Sequence, residues 1–109
     1  MNTVILTGNL TRKPELIEGE NTNYTRLRLA VNNRRSKSGE ADFLTVTAFG
    51  KTAELCAQFL VKGQHVEIRG RAGSREVTLE DGAVIWVPTL IAEDVEFGQK
   101  PRRSLGEEE

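Results

Sequence analysis

Hydrophobic and polar residues alternate with a period of two along much of this chain, the pattern of half-buried strands. Thr3-Val4-Ile5-Leu6-Thr7-Gly8 reads as a first strand rich in β-branched residues. Gly8-Asn9 predicts a bend or bulge, the usual meaning of glycine inside a strand pattern. Thr11-Arg12-Lys13-Pro14 reads as a turn, because Pro14 disfavours helix at Lys13. After a polar loop over 18–23 comes the cleanest alternation: Thr25, Leu27, Leu29 and Val31 share one face, and Tyr24, Arg26, Arg28 and Ala30 the other. A second polar loop, 32–42, leads into Phe43–Phe49, with Leu44, Val46 and Ala48 on one face and Phe43, Thr45, Thr47 and Phe49 on the other.

Residues 51–62 change period. Leu55 and Phe59 lie four apart, as do Cys56 and Leu60, predicting an amphipathic helix with these residues as its apolar stripe. Thr52 reads as its N-cap with Glu54 in the first turn, and Lys62-Gly63 as its C-terminal signal. Val66 and Ile68 then alternate with His65, Glu67 and Arg69 in a fourth strand. Glu80-Asp81-Gly82 predicts the turn of a long hairpin, and 84–97 a last strand interrupted near Pro88. From Gly98 onward the periodicity stops, so residues 1–98 read as the folded domain and 99–109 as a flexible C-terminal tail.

Three strands, a helix and two strands is the order of the OB-fold: all-β with one helix, a five-stranded, partly open Greek-key barrel whose helix lies between strands 3 and 4. Antiparallel pairing of 24–31 with 43–49 is the simplest arrangement. Fold alone assigns no function.

The second of these paired strands carries the clearest chemistry. Its threonine face also bears two of the chain's four phenylalanines, while Leu44, Val46 and Ala48 already supply a core face. Exposed rings spaced along a strand stack unpaired bases. The competing reading puts both rings in the core and turns Leu44, Val46 and Ala48 towards an oligomer partner. Around these rings the sequence places Arg26 and Arg28 on the neighbouring strand and Arg34, Arg35 and Lys37 in the connecting loop, with Arg71 and Arg75 following Arg69 along the fourth strand. Arg26 and Arg28 have an alternative fate as partners of cross-strand acids.

Composition narrows the class. At 109 residues, 38% hydrophobic and 28% charged, the chain suits a single folded domain, not a disordered one. The net charge of −1 looks wrong for a nucleic-acid binder until it is divided. Glu107, Glu108 and Glu109 hold three of the 16 acids, and residues 1–106 carry 15 basic and 13 acidic side chains, a net +2. Local arrangement therefore decides. A lone cysteine, Cys56, excludes an internal disulfide and reads as a small core residue; with His65 the only histidine, no metal site and no cofactor are expected. No nucleophile–base set or phosphate-binding glycine loop occurs, so no enzymatic activity is expected. No apolar run approaches the ~18–20 residues that span a bilayer, and the N-terminus lacks leader features; a cytoplasmic, nucleoid-associated protein is the expectation.

Four blocks, in order and at matching spacing over residues 2–97, resemble bacterial single-stranded DNA-binding proteins. They are Val4-Ile5-Leu6-Thr7-Gly8-Asn9-Leu10 with Pro14-Glu15-Leu16, Leu27-Arg28-Leu29-Ala30-Val31-Asn32, Phe49-Gly50-Lys51-Thr52-Ala53-Glu54, and Leu60-Val61-Lys62-Gly63-Gln64-His65-Val66 with Gly70-Arg71. The resemblance implies base stacking at Phe43 and Phe49. It sets Arg35 at a third position where many members carry an aromatic, Val77 at a fourth, and Trp86 roughly at a position on the final strand. It also implies a homo-oligomer, a tetramer first and a dimer next. The chain ends in Glu107-Glu108-Glu109 and not in the terminal phenylalanine with which many members recruit replication and repair enzymes, so recruitment by that route is not implied. Two other functions fit the same pattern: a primosome-type OB-fold accessory protein that mainly bridges partners, and an OB-fold module that binds protein or oligosaccharide through Phe43 and Phe49.

Overall fold

A computed structural model describes residues 1–101. Its elements are β1 (Val4–Leu10), β2 (Ile17–Glu18), β3 (Asn23–Asn32), β4 (Ala41–Phe49), α1 (Gly50–Phe59), β5 (His65–Thr78) and β6 (Val84–Phe97). The strands run in the order β1-β5-β6-β4-β3-β2, and β1 also pairs with β3, which closes the sheet on itself. A mostly antiparallel barrel with one helix between its third and fourth main strands is the OB-fold. The two-residue β2 is an addition to the five expected strands, pairing Ile17 with Tyr24 and Glu18 with Asn23.

Closure depends on β1 serving two neighbours. Val4 through Asn9 pair with β5, while Asn9 and Leu10 pair with Ala30 and Leu29 of β3. Gly8 stays within the strand where it changes partner, instead of bending it out. A Cβ at Gly8 would stand 2.6 Å from the Ala30 carbonyl oxygen, so glycine is what lets the two backbones meet there.

The alternation expected for β3 and β4 holds residue by residue. Thr25, Leu27, Leu29, Val46 and Ala48 are buried, with Leu10, Val66, Ile68 and Ala92 completing the barrel core. Each large aliphatic side chain buried here is worth about 1.5–3 kcal/mol relative to exposure. Thr25 is the polar member, and its Oγ1 donates to the Glu15 carbonyl at 2.7 Å, which removes the cost of burying an unpaired hydroxyl.

The helix departs from its reading in three ways. It starts earlier, because β4 runs directly into it: Phe49 is the extended N-cap, with no side-chain cap, and Gly50 turns the corner at φ +60°. Thr52 therefore lies inside the first turn. The helix also stops at Phe59, and Leu60 is already extended at the C-cap. The buried Gln64 enforces this end, its Oε1 accepting the Val61 N–H and its Nε2 donating to the Gly98 carbonyl. Lys13 completes it by donating from Nζ to the carbonyls of Ala57 and Leu60 at 3.0 and 3.1 Å, satisfying acceptors at a helix C-terminus. Third, the packed stripe is Ala53, Cys56 and Leu60, whereas Leu55 and Phe59 are exposed. Small residues at 53 and 56 let the helix settle on β3 and β4, and that close approach fixes its rotation.

The long hairpin forms where Asp-Gly predicts it. Leu79 N–H donates to Ala83 O at 2.8 Å, and Asp81 Oδ1 accepts the Ala83 N–H at 2.9 Å. Pro88 does not interrupt β6: it pairs with Ser74 inside an unbroken register from Thr89 to Val84. The register shifts instead at Arg69/Gly70, which face Asp94 and Ala92 and leave Glu93 unpaired. In this distal part β6 has only β5 as a continuous neighbour, so a residue without an N–H is tolerated. After β6, Gly98 N–H donates to His65 O and His65 N–H to Gln99 O; residues 102–109 of the expected tail lie outside the described residues. Among the described residues no helix is long and apolar enough to cross a membrane.

Two outcomes follow from this packing. Gly8→Ala should cost roughly 1–3 kcal/mol, the range for forcing extra atoms into a packed interior, and lower the urea midpoint; an unchanged midpoint would mean that β1 closes the barrel by another route. Burial pushes the Cys56 thiol up from 9.0 to about 11. It should resist iodoacetamide in the native chain and react fully in urea. Because the folded-state value is raised, its contribution to stability is complete below pH 9 and is lost as pH rises towards about 11. Cys56→Ala should remove that part of the alkaline loss.

Candidate nucleic-acid interface

The outward face of β3 and β4 is assembled by register. Tyr24 lies opposite Phe49, Arg26 opposite Thr47, Arg28 opposite Thr45 and Ala30 opposite Phe43. With the inward residues consumed by the core, this face is left to solvent. Phe43 is 57% exposed and Phe49 45%, so neither ring is a core residue. They lie six positions apart, a span of roughly 20 Å along a strand.

Aromatic and cationic groups interleave along that span. The Arg28 guanidinium carbon sits 5.2 Å from the Phe43 ring centre, and that of Arg26 5.4 Å from Tyr24, both within cation–π reach. Tyr24 and Phe49 have ring centres 6.2 Å apart with planes tilted by 45°. Arg26 and Arg28 thus lie over rings and not against cross-strand acids. Among the described residues only Arg69 forms ion pairs, with Glu93 and Asp94. The guanidiniums of this face are therefore uncommitted to any carboxylate among the described residues.

Tyr24 was legible as an outward residue on β3, yet the sequence alone gave no reason to rank it with the phenylalanines. Its value comes from the cross-strand pairing with Phe49, which turns one ring into a two-ring platform.

A groove of about 510 Å³ runs in front of this platform, between Tyr24, Phe49 and Thr45 on one wall and Arg75, Val87 and Pro88 on the other. The walls meet where Thr47 pairs with Ile91 in the only β4–β6 bridge. Because paired residues point the same way, Ile91 and its alternate neighbours Thr89 and Val87 share the groove face. Their partners across the hairpin are Arg71, Gly73 and Arg75. A Cβ on Gly73 would lie 3.6 Å from Arg71 Nη1 and 3.6 Å from Ile91 Cδ1, which puts Arg71 on the same side. Both arginines are exposed.

The remaining predicted residues spread around this centre. Arg34, Arg35 and Lys37 are exposed in the β3–β4 loop, at the Phe43 end of the face. That loop is shaped by Asn33, whose Oδ1 accepts the Arg35 N–H at 3.0 Å and whose carbonyl accepts the Ser36 N–H. Trp86 is 66% exposed but belongs to the other alternation of β6, with Leu90 and Ala92, opposite Glu76. Its alternation is the opposite one to that of Arg71 and Arg75, although Pro88 and Leu90 of the same alternation also line the groove. Val77 pairs with Ile85 on the groove side, and offers no ring. Among the described residues no cluster of three His, Cys, Asp or Glu side chains is placed to hold a metal ion.

Residues 1–98 match the model of the single-strand binding protein family. The chain belongs to that family. Its relatives within the single-strand binding family include a single-stranded DNA-binding protein of Clostridium tetani, 42% identical over 101 residues, covering 89% of this chain and 70% of the relative. One from Clostridium perfringens is 38% identical over 99 residues, covering 89% of this chain and 65% of the relative. Single-stranded DNA-binding protein 1 of Clostridium acetobutylicum is 37% identical over 110 residues, covering 96% of this chain and the whole of the relative. The family match covers every strand and the helix, hence the entire aromatic and basic face.

Proposed function

We propose that this chain binds single-stranded DNA without sequence preference, stacking bases on Phe43 and on the Tyr24–Phe49 pair while basic groups hold the phosphates. The observation that carries the reading is the outward face of β3 and β4. There, two exposed phenylalanines roughly 20 Å apart alternate with guanidiniums that form no ion pair among the described residues. Every base has a π-face, so stacking of this kind tolerates all four. Thr45 and Thr47 line the path between the rings. Arg26 and Arg28 lie within it, Arg34, Arg35 and Lys37 extend it at the Phe43 end, and Arg71 and Arg75 face it across the groove. Family membership supports the same reading, as do the names of its relatives. We take residues 1–98 as the binding domain and the working form as a homo-oligomer, a tetramer before a dimer, since linked sites on one strand raise effective affinity.

Oligo-dT titration followed by fluorescence anisotropy of a labelled strand and by gel mobility tests this directly. Saturable binding at low salt that weakens steeply as salt rises is the expected result; no saturable binding would overturn the reading. Phe43→Ala combined with Phe49→Ala should cost about 1–3 kcal/mol per lost ring. That is a drop in affinity of at least roughly 30-fold, with the circular dichroism spectrum unchanged because both rings are exposed. Normal affinity in the double variant would reject the stacking role.

A further inference from the structure

A second depression, of about 430 Å³, lies across β3 from the groove and is lined by Arg12, Lys13, Glu15, Ile17 and Arg26. Arg26 lines both, so its guanidinium stands on the divide between them. The strand pairing explains why they adjoin. Tyr24 has Phe49 as its neighbour on one side and Ile17 of β2 on the other. The outward surface therefore continues past the two-ring platform, over β3 and onto the β1–β2 connection.

The chemistry changes at that divide. No aromatic side chain lines the second depression, so it has nothing on which to stack a base. It has three cations and one carboxylate. Lys13 is committed, its ammonium donating to Ala57 O and Leu60 O at the end of α1. Arg12 and Arg26 are left, both exposed and neither in an ion pair among the described residues. Two guanidiniums outnumbering the single Glu15 carboxylate suit a phosphate, whose oxygens accept paired N–H bonds.

We propose that Arg12 and Arg26 form a phosphate subsite beyond the Tyr24–Phe49 platform, where the single strand leaves the β3–β4 face and turns onto the β1–β2 connection. The proposal rests on the reading of that face as a single-stranded DNA site. It adds the direction in which the strand departs and a contact that only a sufficiently long strand reaches.

Length and salt dependence separate the two. Oligo-dT of about 4 and about 16 nucleotides bracket the usual site on one OB-fold. On the longer strand, Arg12→Ala should reduce the slope of log K against log salt by about 0.7, the value for one phosphate contact on a single strand. Arg12→Lys, which keeps the charge, should restore it. On the shorter strand, confined to the aromatic face, Arg12→Ala should leave affinity and slope unchanged. An unchanged slope on the longer strand would overturn the subsite, and so would an equal loss on both lengths, which would place Arg12 in the face itself. Failure of the unaltered protein to bind either strand would instead remove the single-stranded DNA reading beneath it.

Discussion

Everything outside the barrel depends on how the barrel is shut. β1 carries that constraint, because its final residues leave β5 and continue against β3 at a point where only a glycine lets the backbones approach. Once β1 is shared in this way, β3 has a fixed inner side and a fixed outer side. A one-residue slip of β3 on β4 would exchange the two faces completely. It would bury Arg26 and Arg28 and expose Leu27 and Leu29, an exchange that desolvation of the charges makes prohibitive. The outward array of rings and guanidiniums is thus held in place by the aliphatic residues behind it.

That dependence explains what could be read in the chain. The alternations at 24–31 and 43–49 were decisive because the inward aliphatic positions needed burial, while Arg26 and Arg28 on the outward face of β3 could not tolerate it. The basic loop at 34–37 and the Asp-Gly turn followed from local chemistry alone. Phe43 and Phe49 stood out because the core was already supplied from the other face.

What could not be read depended on partners distant in sequence. Leu55 and Phe59 form as good a helical stripe as Cys56 and Leu60, and only the surface beneath α1 selects the smaller residues. The helix ends early because Lys13 and Gln64, from elements on either side of it, take its last polar groups. Tyr24 becomes a platform only through a cross-strand neighbour. The side of the hairpin on which Trp86 stands depends on the β5–β6 register, which sets it opposite Glu76.

The single Thr47–Ile91 bridge has a mechanical meaning. One wall of the groove belongs to the β3–β4 ladder and the other to the β5–β6 ladder, and each is stiff within itself. Between them runs a seam of one residue pair, against two pairs where β1 meets β3 and longer ladders between β1 and β5, β3 and β4, and β5 and β6. Elements tied by few hydrogen bonds move at low free-energy cost. The root of the groove is accordingly the place where its two walls are least tied by hydrogen bonds, although Val46 and Ala48 of β4 and Ala92 of β6 share one core behind it.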